Sequence, residues 1–165
     1  LQGCSQKERF DTASYYLDVV GLVNFAQAYP RELSGGMKQR VAIARSLACH
    51  PKVLLMDEPF GALDIQTKER MHEYLIDIWQ RLQCSILMIT HDVEEAVFLA
   101  QRVYVLSSRP GTIQRELTIN LPGDEETPKN RTYKIKREPE FFKYSDEISS
   151  LLRGRETEET EAIAS

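Results

Sequence analysis

Apolar residues recur at helical spacing along the first part of the chain. The stripe between residues 6 and 20 predicts a helix, and Gly21 is suited to end it. A short second helical piece is predicted over Leu22 to Ala28. Ser34 then stands as an N-cap before a helix predicted from Gly35 to Cys49. The stripes consist of Phe10, Ala13, Leu17 and Val20 in the first helix, and of Met37, Val41, Ala44 and either Leu47 or Ala48 in the later one.

Two uninterrupted apolar runs have the length of strands. These runs, Val53 to Met56 and Ile86 to Ile89 within a strand predicted over Ser85 to Thr90, are typical of parallel strands whose two faces are both covered. An amphipathic helix is predicted between them, and another from Val93 to about Ala100, where Asp92 and Glu95 fit a capping box. This order predicts an α/β core with a mostly parallel sheet flanked by helices. The stripe of the long helix consists of Met71, Leu75, Ile78, Trp79 and Leu82.

The last third of the chain changes character. Val103 to Leu106 and Thr112 to Ile119 predict two further strands joined by a turn. After Pro122 the chain is densely charged, and we expect a surface loop over Gly123 to Glu140 and a helix over Phe141 to Leu152. The predicted domains are 1–122, the loop and helix of 123–152, and a disordered acidic tail over 153–165.

Composition narrows the class of protein. The 165 residues are 42% apolar and 28% charged, a balance typical of globular chains. A net charge of -4 with no basic face argues against a nucleic-acid partner. The longest apolar runs fall far short of the ~20 residues that cross a bilayer, so any membrane role is expected through a partner. Three widely spaced cysteines and no export leader favour the cytosol.

The helix predicted after Ser34 begins with two glycines. Gly35 and Gly36 leave the first N–H groups unshielded at the positive end of the helix dipole, which suits a phosphate. The alternative is a glycine-rich helix start without a ligand.

Polar residues follow both predicted strands. Asp57 is suited to hold Mg²⁺ and Glu58 to act as a general base toward water, although both acids could also simply meet solvent at the strand end. Asp64 precedes the long helix, where it could belong to the same site or serve only as the N-cap of that helix. His91 ends the second run, so we expect it at the same edge of the sheet, where it could donate to a γ-phosphate or serve a structural bond.

Four segments together resemble one family. Leu33-Ser34-Gly35-Gly36-Met37-Lys38-Gln39-Arg40 resembles the signature sequence of ABC ATPases. The segment 53–59 is similar to their Walker B strand, Ala62-Leu63-Asp64 to their D-loop, and Thr90-His91-Asp92 to their switch histidine. The order and spacing are also those of the family, which makes the combination far more specific than any one motif.

The resemblance implies an incomplete P-loop NTPase-like core, with residues 1–34 as part of the helical subdomain. It implies an ATP-hydrolysing subunit that uses Mg²⁺ and dimerises head to tail, with the signature acting on ATP held mainly by the opposite subunit. The nucleotide-contacting residues it implies are Ser34, Gly35, Gly36, Gln39 and Asp64. Asp57 as metal ligand, with Glu58 and His91 as catalytic residues, would serve ATP held by their own subunit.

Two further segments resemble one branch of the family. Ser107 to Gly111 and Arg137 to Phe141 are similar to the nitrate, sulfonate and taurine importers. Membership implies uptake of a small anion through an integral membrane permease and, indirectly, a periplasmic or extracellular solute-binding protein. It also implies a peripheral location on the cytoplasmic face of the inner or plasma membrane.

The phosphate-binding loop of the family does not occur in these residues. No Gly-x-x-x-x-Gly-Lys-[Ser/Thr] is present, and in the family that loop precedes the helical subdomain. We therefore expect a shortened form, and expect this chain by itself to hydrolyse ATP negligibly. The open alternatives are an ABC ATPase of DNA repair or translation and a non-catalytic regulatory fragment.

Overall fold

The chain folds into two compact units, 1–90 and 91–165. The structure is a computed structural model that describes residue 3 and residues 5–82, 84–107, 110–123 and 131–163, with side chains except at 81, 82 and 154–163. The division lies at Thr90 rather than at 122, where the composition changes. The reason is that the predicted strands after residue 102 pair with each other and not with the strands of the first unit.

Helix α1 (Gln6–Val19) is held at its start by a capping box. The Ser5 hydroxyl accepts the N–H of Glu8, and the Glu8 carboxylate accepts the N–H of Ser5 at 2.7 Å. The predicted stripe is wrong at one end, because Phe10 is 62% exposed while Val20 is buried. Helix α1 packs on the next helix, where Arg40 Nη1 donates to Val20 O, and Phe10 lies about 15 Å away along α1.

Helix α2 (Gly35–Leu47) begins after Ser34, as predicted. It ends at Leu47, and His50 adopts a left-handed conformation with φ of 47°. Its buried side chains include Ala44 and Leu47, so the predicted stripe is confirmed at that end. The helical piece expected over 22–28 is reduced to a 3₁₀ turn at Val23–Phe25.

Strands β1 (Val53–Asp57) and β2 (Ser85–Ile89) pair in parallel, and helix α3 (Ile65–Leu82) connects them. The expectation that both faces are covered is wrong within the described residues, because alternate side chains are exposed. Leu54 and Met56 are buried, whereas Leu55 is 71% exposed. The described elements cover one face only. The exposed apolar side chains of the other face are Val53, Leu55, Leu87 and Ile89.

The second unit contains a separate antiparallel sheet. Strands β3 (Arg102–Leu106) and β4 (Ile113–Thr118) form the predicted hairpin, so among the described strands the single mostly parallel sheet that we expected is replaced by one parallel pair, β1 with β2, and one antiparallel pair. Helix α4 (Val93–Leu99) packs against helix α5 (Pro139–Ile163). Residues 108 and 109 of the predicted turn lie outside the described residues.

The surface loop expected over Gly123 to Glu140 is wrong where the structure describes it. Residues 124–130 lie outside the described residues, but Tyr133–Arg137 forms a 3₁₀ turn and Arg131 is 4% exposed. The Nη1 atom of Arg131 donates to three carbonyl oxygens at the end of α4, at 2.8 to 3.2 Å. A helix leaves its last carbonyls without intrahelical donors, which is why a cation can be buried there. Those acceptors belong to Val97, Phe98 and Ala100.

Helix α5 also continues beyond Leu152, where we expected a disordered tail, as far as Ile163. Its last turns are rich in glutamate and contain no proline, a composition that favours helix over chain disorder. In the described part of the chain, no helix is both long and apolar enough to cross a membrane.

Candidate functional site

The start of α2 is an open helix N-terminus. Ser34 has extended backbone angles, and its hydroxyl accepts the N–H of Met37 at 3.2 Å. A side-chain carbon placed on Gly35 would meet no atom within 4 Å. The start of α2 is therefore open beside Gly35. Because the first N–H groups of a helix have no intrahelical acceptor, this arrangement is suited to an anion.

Gly36 lies against the loop that precedes α3. A carbon added at Gly36 would come within 3.1 Å of Leu63 Cδ2 and 3.4 Å of Ala62 O. Glycine at this position thus allows a close approach between α2 and the loop. A larger residue would need the Leu63 side chain to shift.

The same loop is connected to α2 by the side chain of Gln39. Its Nε2 donates to Glu58 O at 2.9 Å, and its Oε1 accepts the N–H of Ala62 at 3.2 Å. The amide is thus bonded at both ends to the backbone that follows β1. Contact of Gln39 with a nucleotide stays a prediction, because the described bonds of its side chain go to protein.

Glu58 has a left-handed backbone conformation. Its φ of 46° is uncommon for a residue with a side chain and costs on the order of 1–3 kcal/mol, so neighbouring groups must hold it. The Glu58 N–H donates to Ile89 O at 2.9 Å, which continues the pairing of β1 with β2. Its side chain is partly exposed. Such conformations cluster at functional sites.

Asp64 caps α3. Its carboxylate accepts the N–H of Thr67 at 3.0 Å. Hydrogen bonds from the Thr67 hydroxyl and N–H, with a smaller contribution from the nearby positive charge of Arg40, lower the pKa of Asp64 below its usual value. The N-cap role, offered above as an alternative, is therefore present. Asp64 is also exposed and lines the cleft described below.

Substitution of Asp64 is expected to have a pH-dependent effect on stability. A lowered pKa means that the folded state favours the charged form, so Asp64 stabilises the fold above the usual aspartate pKa and loses this contribution as pH falls through the lowered value. Asp64→Ala should lower the urea midpoint of the intact protein at pH 7, and the difference from wild type should narrow toward pH 3. The exposed Asp11 on α1 offers the control, Asp11→Ala. A difference that is constant with pH would contradict this role of the charge.

A cleft of about 380 Å³ opens between the start of α2 and the start of α3. Five of its lining residues were not predicted as site residues: Met37, Arg40, Ala62, Leu63 and Thr67. The spacing could have indicated Arg40, because it lies four residues after Gly36 and so on the same helix face. The complete lining consists of Ser34, Gly35, Gly36, Met37, Arg40, Ala62, Leu63, Asp64 and Thr67.

The structure thus brings together five of the predicted residues in the first unit. Ser34, Gly35, Gly36 and Asp64 line the cleft, and Gln39 joins α2 to the loop beside it. Asp57 and Glu58 follow one another at the carboxyl end of β1, and Asp57 is exposed.

His91 begins the second unit and precedes Asp92, whose carboxylate caps α4 by accepting the N–H of Glu95 at 3.0 Å. The prediction that His91 acts beside Glu58 therefore stays a prediction. No group of three or more carboxylate, imidazole or thiolate side chains in the described ranges is placed to hold a metal ion.

Comparison with known proteins agrees with these motifs. The model of the ABC transporter family matches residues 4–61. The chain is 98% identical, over all of its length, to the nitrate import ATP-binding protein NrtD of Synechocystis sp., and spans 62% of that protein. It is 45% identical over 93% of its length to the taurine import ATP-binding protein TauB of Rhizobium johnstonii, of which it spans 58%.

Solved structures point the same way. The dimeric structure of a bacterial ABC transporter cassette matches with a TM-score of 0.65 and 35% identity, over 73% of this chain and 51% of that one. The α/β fold predicted from the resemblance is confirmed by this neighbour. With the signature segment at the start of α2 and the acidic pair at the end of β1, the chain belongs to the ATP-binding proteins of ABC transporters.

Proposed function

We propose that the protein is the nucleotide-binding subunit of an ABC importer, and that it couples ATP binding and hydrolysis to the uptake of nitrate or a related small anion. The observation that carries the proposal is the cleft, which places an open helix N-terminus next to the loop following the acidic pair. The 98% identity to a nitrate import ATP-binding protein favours nitrate over taurine and other sulfonates.

The cleft is suited to a phosphate that a second subunit holds. Gly35 faces open space, and the free N–H groups of the helix start provide donors without providing a complete pocket. Because these residues form one side of a phosphate site, a second protein surface is needed opposite them to complete it. A head-to-tail dimer supplies that surface, and the similarity to a cassette solved as a dimer supports this arrangement.

The acidic pair provides the hydrolytic chemistry in the proposal. The Glu58 carboxylate accepts a proton from water as the water oxygen bonds to the γ-phosphorus, and the bond between that phosphorus and the departing ADP oxygen breaks. His91 donates a hydrogen bond to a γ-phosphate oxygen. These roles follow the family motifs that the residues match.

One exposed carboxylate is enough for the metal ion that this chemistry uses. Mg²⁺ keeps several waters and is usually bound by one or two carboxylates together with substrate phosphates, so Asp57 at the end of β1 fits it without a cluster of protein ligands. When bound, Mg²⁺ neutralises charge that develops on the phosphate oxygens.

The remaining partners follow from the same assignment. The subunit would dock on an integral membrane permease at the cytoplasmic face of the membrane, and a solute-binding protein would deliver the anion from the other side. Two alternatives remain: an ABC ATPase of DNA repair or translation, and a non-catalytic regulatory protein.

Blocking the cleft should abolish transport. In cells whose only copy of the intact subunit carries Ser34→Arg, we expect uptake of labelled nitrate to fall to the background rate, because the arginine fills the space in front of Gly35. Ser150→Arg, on an exposed position of α5, makes the same change elsewhere and should transport normally. Loss of taurine uptake with normal nitrate uptake would assign taurine as the substrate in place of nitrate. Normal uptake of both would favour the non-transport alternatives.

A further inference from the structure

The side chain of Gln39 is placed between two parts of the candidate site. It extends from α2, the helix that opens at Ser34, to the backbone on both sides of the turn that follows β1. The orientation of its amide is determined by its partners, because the Glu58 carbonyl can only accept and the Ala62 N–H can only donate. Both bonds, at 2.9 and 3.2 Å, are within the normal range.

The backbone that Gln39 holds is the strained one. Three hydrogen bonds converge on the peptide groups of Glu58: its N–H donates to Ile89 O, and its carbonyl accepts from Gln39 Nε2 and, at 3.3 Å, from the N–H of Gly61. With φ at 46°, the residue would relax to a commoner conformation if this support were weakened. A change of φ at Glu58 swings its side chain, because the carboxylate is carried by the same α-carbon.

Gly36 makes the connection short. Because an added carbon there would meet Leu63 at 3.1 Å, α2 and the loop are already in close contact one helical turn before Gln39. Gly36 allows the short distance between α2 and the loop, and the Gln39 side chain forms hydrogen bonds from the helix to that loop. The start of α2 and the turn at Glu58 should therefore move together.

We propose that Gln39 is a positioning residue for Glu58: its amide stabilises the left-handed backbone that orients the Glu58 carboxylate. The same two hydrogen bonds couple the position of that carboxylate to the start of α2, where the phosphate would bind. The inference rests on the proposed function. It differs from the role that the family resemblance implied, since Gln39 acts on the general base and not on the nucleotide.

Substitutions of Gln39 should lower the turnover of ATP and not the apparent affinity for it. In the intact protein, Gln39→Leu is expected to reduce kcat about 10-fold or more with KM for ATP changed less than about 2-fold, because a small displacement of a catalytic group is costly to the reaction step alone. Gln39→Glu keeps the acceptor for Ala62 but has no donor for the Glu58 carbonyl, so it should lose as much. Gln6→Leu, at an exposed position of α1, is the matched control and should behave as wild type.

A double-mutant cycle separates positioning from a general loss of structure. If Gln39 acts through the Glu58 carboxylate, Gln39→Leu should change the residual kcat of Glu58→Gln less than about 2-fold, although it costs 10-fold in the wild type. An equal loss in both backgrounds would overturn the proposal in favour of a structural role. A raised KM with normal kcat would overturn it in favour of nucleotide contact, and wild-type values for both variants would overturn it outright. Absence of ATP hydrolysis in the wild-type protein with its partners would instead overturn the proposed function.

Discussion

Glu58→Gln is expected to lower the rate of ATP hydrolysis by the intact subunit about 100-fold or more, while its affinity for ATP stays within about a factor of two. The substitution replaces one carboxylate oxygen by an amide nitrogen and leaves the size of the side chain unchanged. An amide cannot take the proton from an attacking water at neutral pH. The measurement is steady-state phosphate release together with nucleotide binding under conditions without turnover.

The backbone of the variant should remain as in the wild type. The described backbone bonds at this position, to Ile89 O and from Gln39 Nε2 and the Gly61 N–H, are made by the N–H and carbonyl of Glu58, which the substitution leaves in place. Glu73→Gln, on the exposed side of α3, is the control for the change of charge and should hydrolyse ATP normally. Activity of Glu58→Gln within 2-fold of wild type would show that Glu58 is not the base, and loss of ATP affinity would assign it to nucleotide or metal binding.

Arg131→Met should destabilise the folded protein by about 2–4 kcal/mol, because it leaves buried carbonyl oxygens without their donor. Arg131 is 4% exposed, and one nitrogen of its guanidinium bonds three acceptors at the end of α4. Methionine has a similar length and fills the space, so the main loss is of the charge-assisted hydrogen bonds. Urea unfolding of the intact protein, compared with wild type, measures the difference.

Arg137→Met is the matched control, since Arg137 is exposed in the adjacent 3₁₀ turn. Its midpoint should lie within about 0.5 kcal/mol of wild type. A small effect of Arg131→Met as well would mean that water replaces the guanidinium at the carbonyls of α4.

Local signals in the sequence predicted the elements of the site well. Ser34 as an N-cap and the long helix before β2 follow from short-range rules, because a cap bonds the N–H three residues on and helical spacing repeats every turn. The stripe of α3 is buried at Met71, Leu75 and Ile78. Each family motif consists of a few adjacent residues and can therefore be recognised in the sequence. The order of the four motifs then identified the family.

The predictions that were wrong depended on what surrounds an element. The apolar runs of β1 and β2 indicated two covered faces, but exposure depends on which layers lie on the sheet, and here Leu55 and Leu87 are exposed. Arg131 lies in a densely charged segment that composition assigned to the surface. The end of α4 presents carbonyl acceptors that help to stabilise a buried cation there.

The sequence by itself therefore determined the order of helices and strands, the open helix start at Ser34 and the acidic pair after β1. These depend on residues within a few positions of one another. The tertiary structure alone decided that Glu58 is left-handed, that Gly36 lies against Leu63, and that Gln39 bonds the backbone 19 and 23 residues further along the chain. Such contacts join segments distant in sequence, and neither periodicity nor spacing specifies which acceptor a side chain will meet once α2 and the loop have packed together.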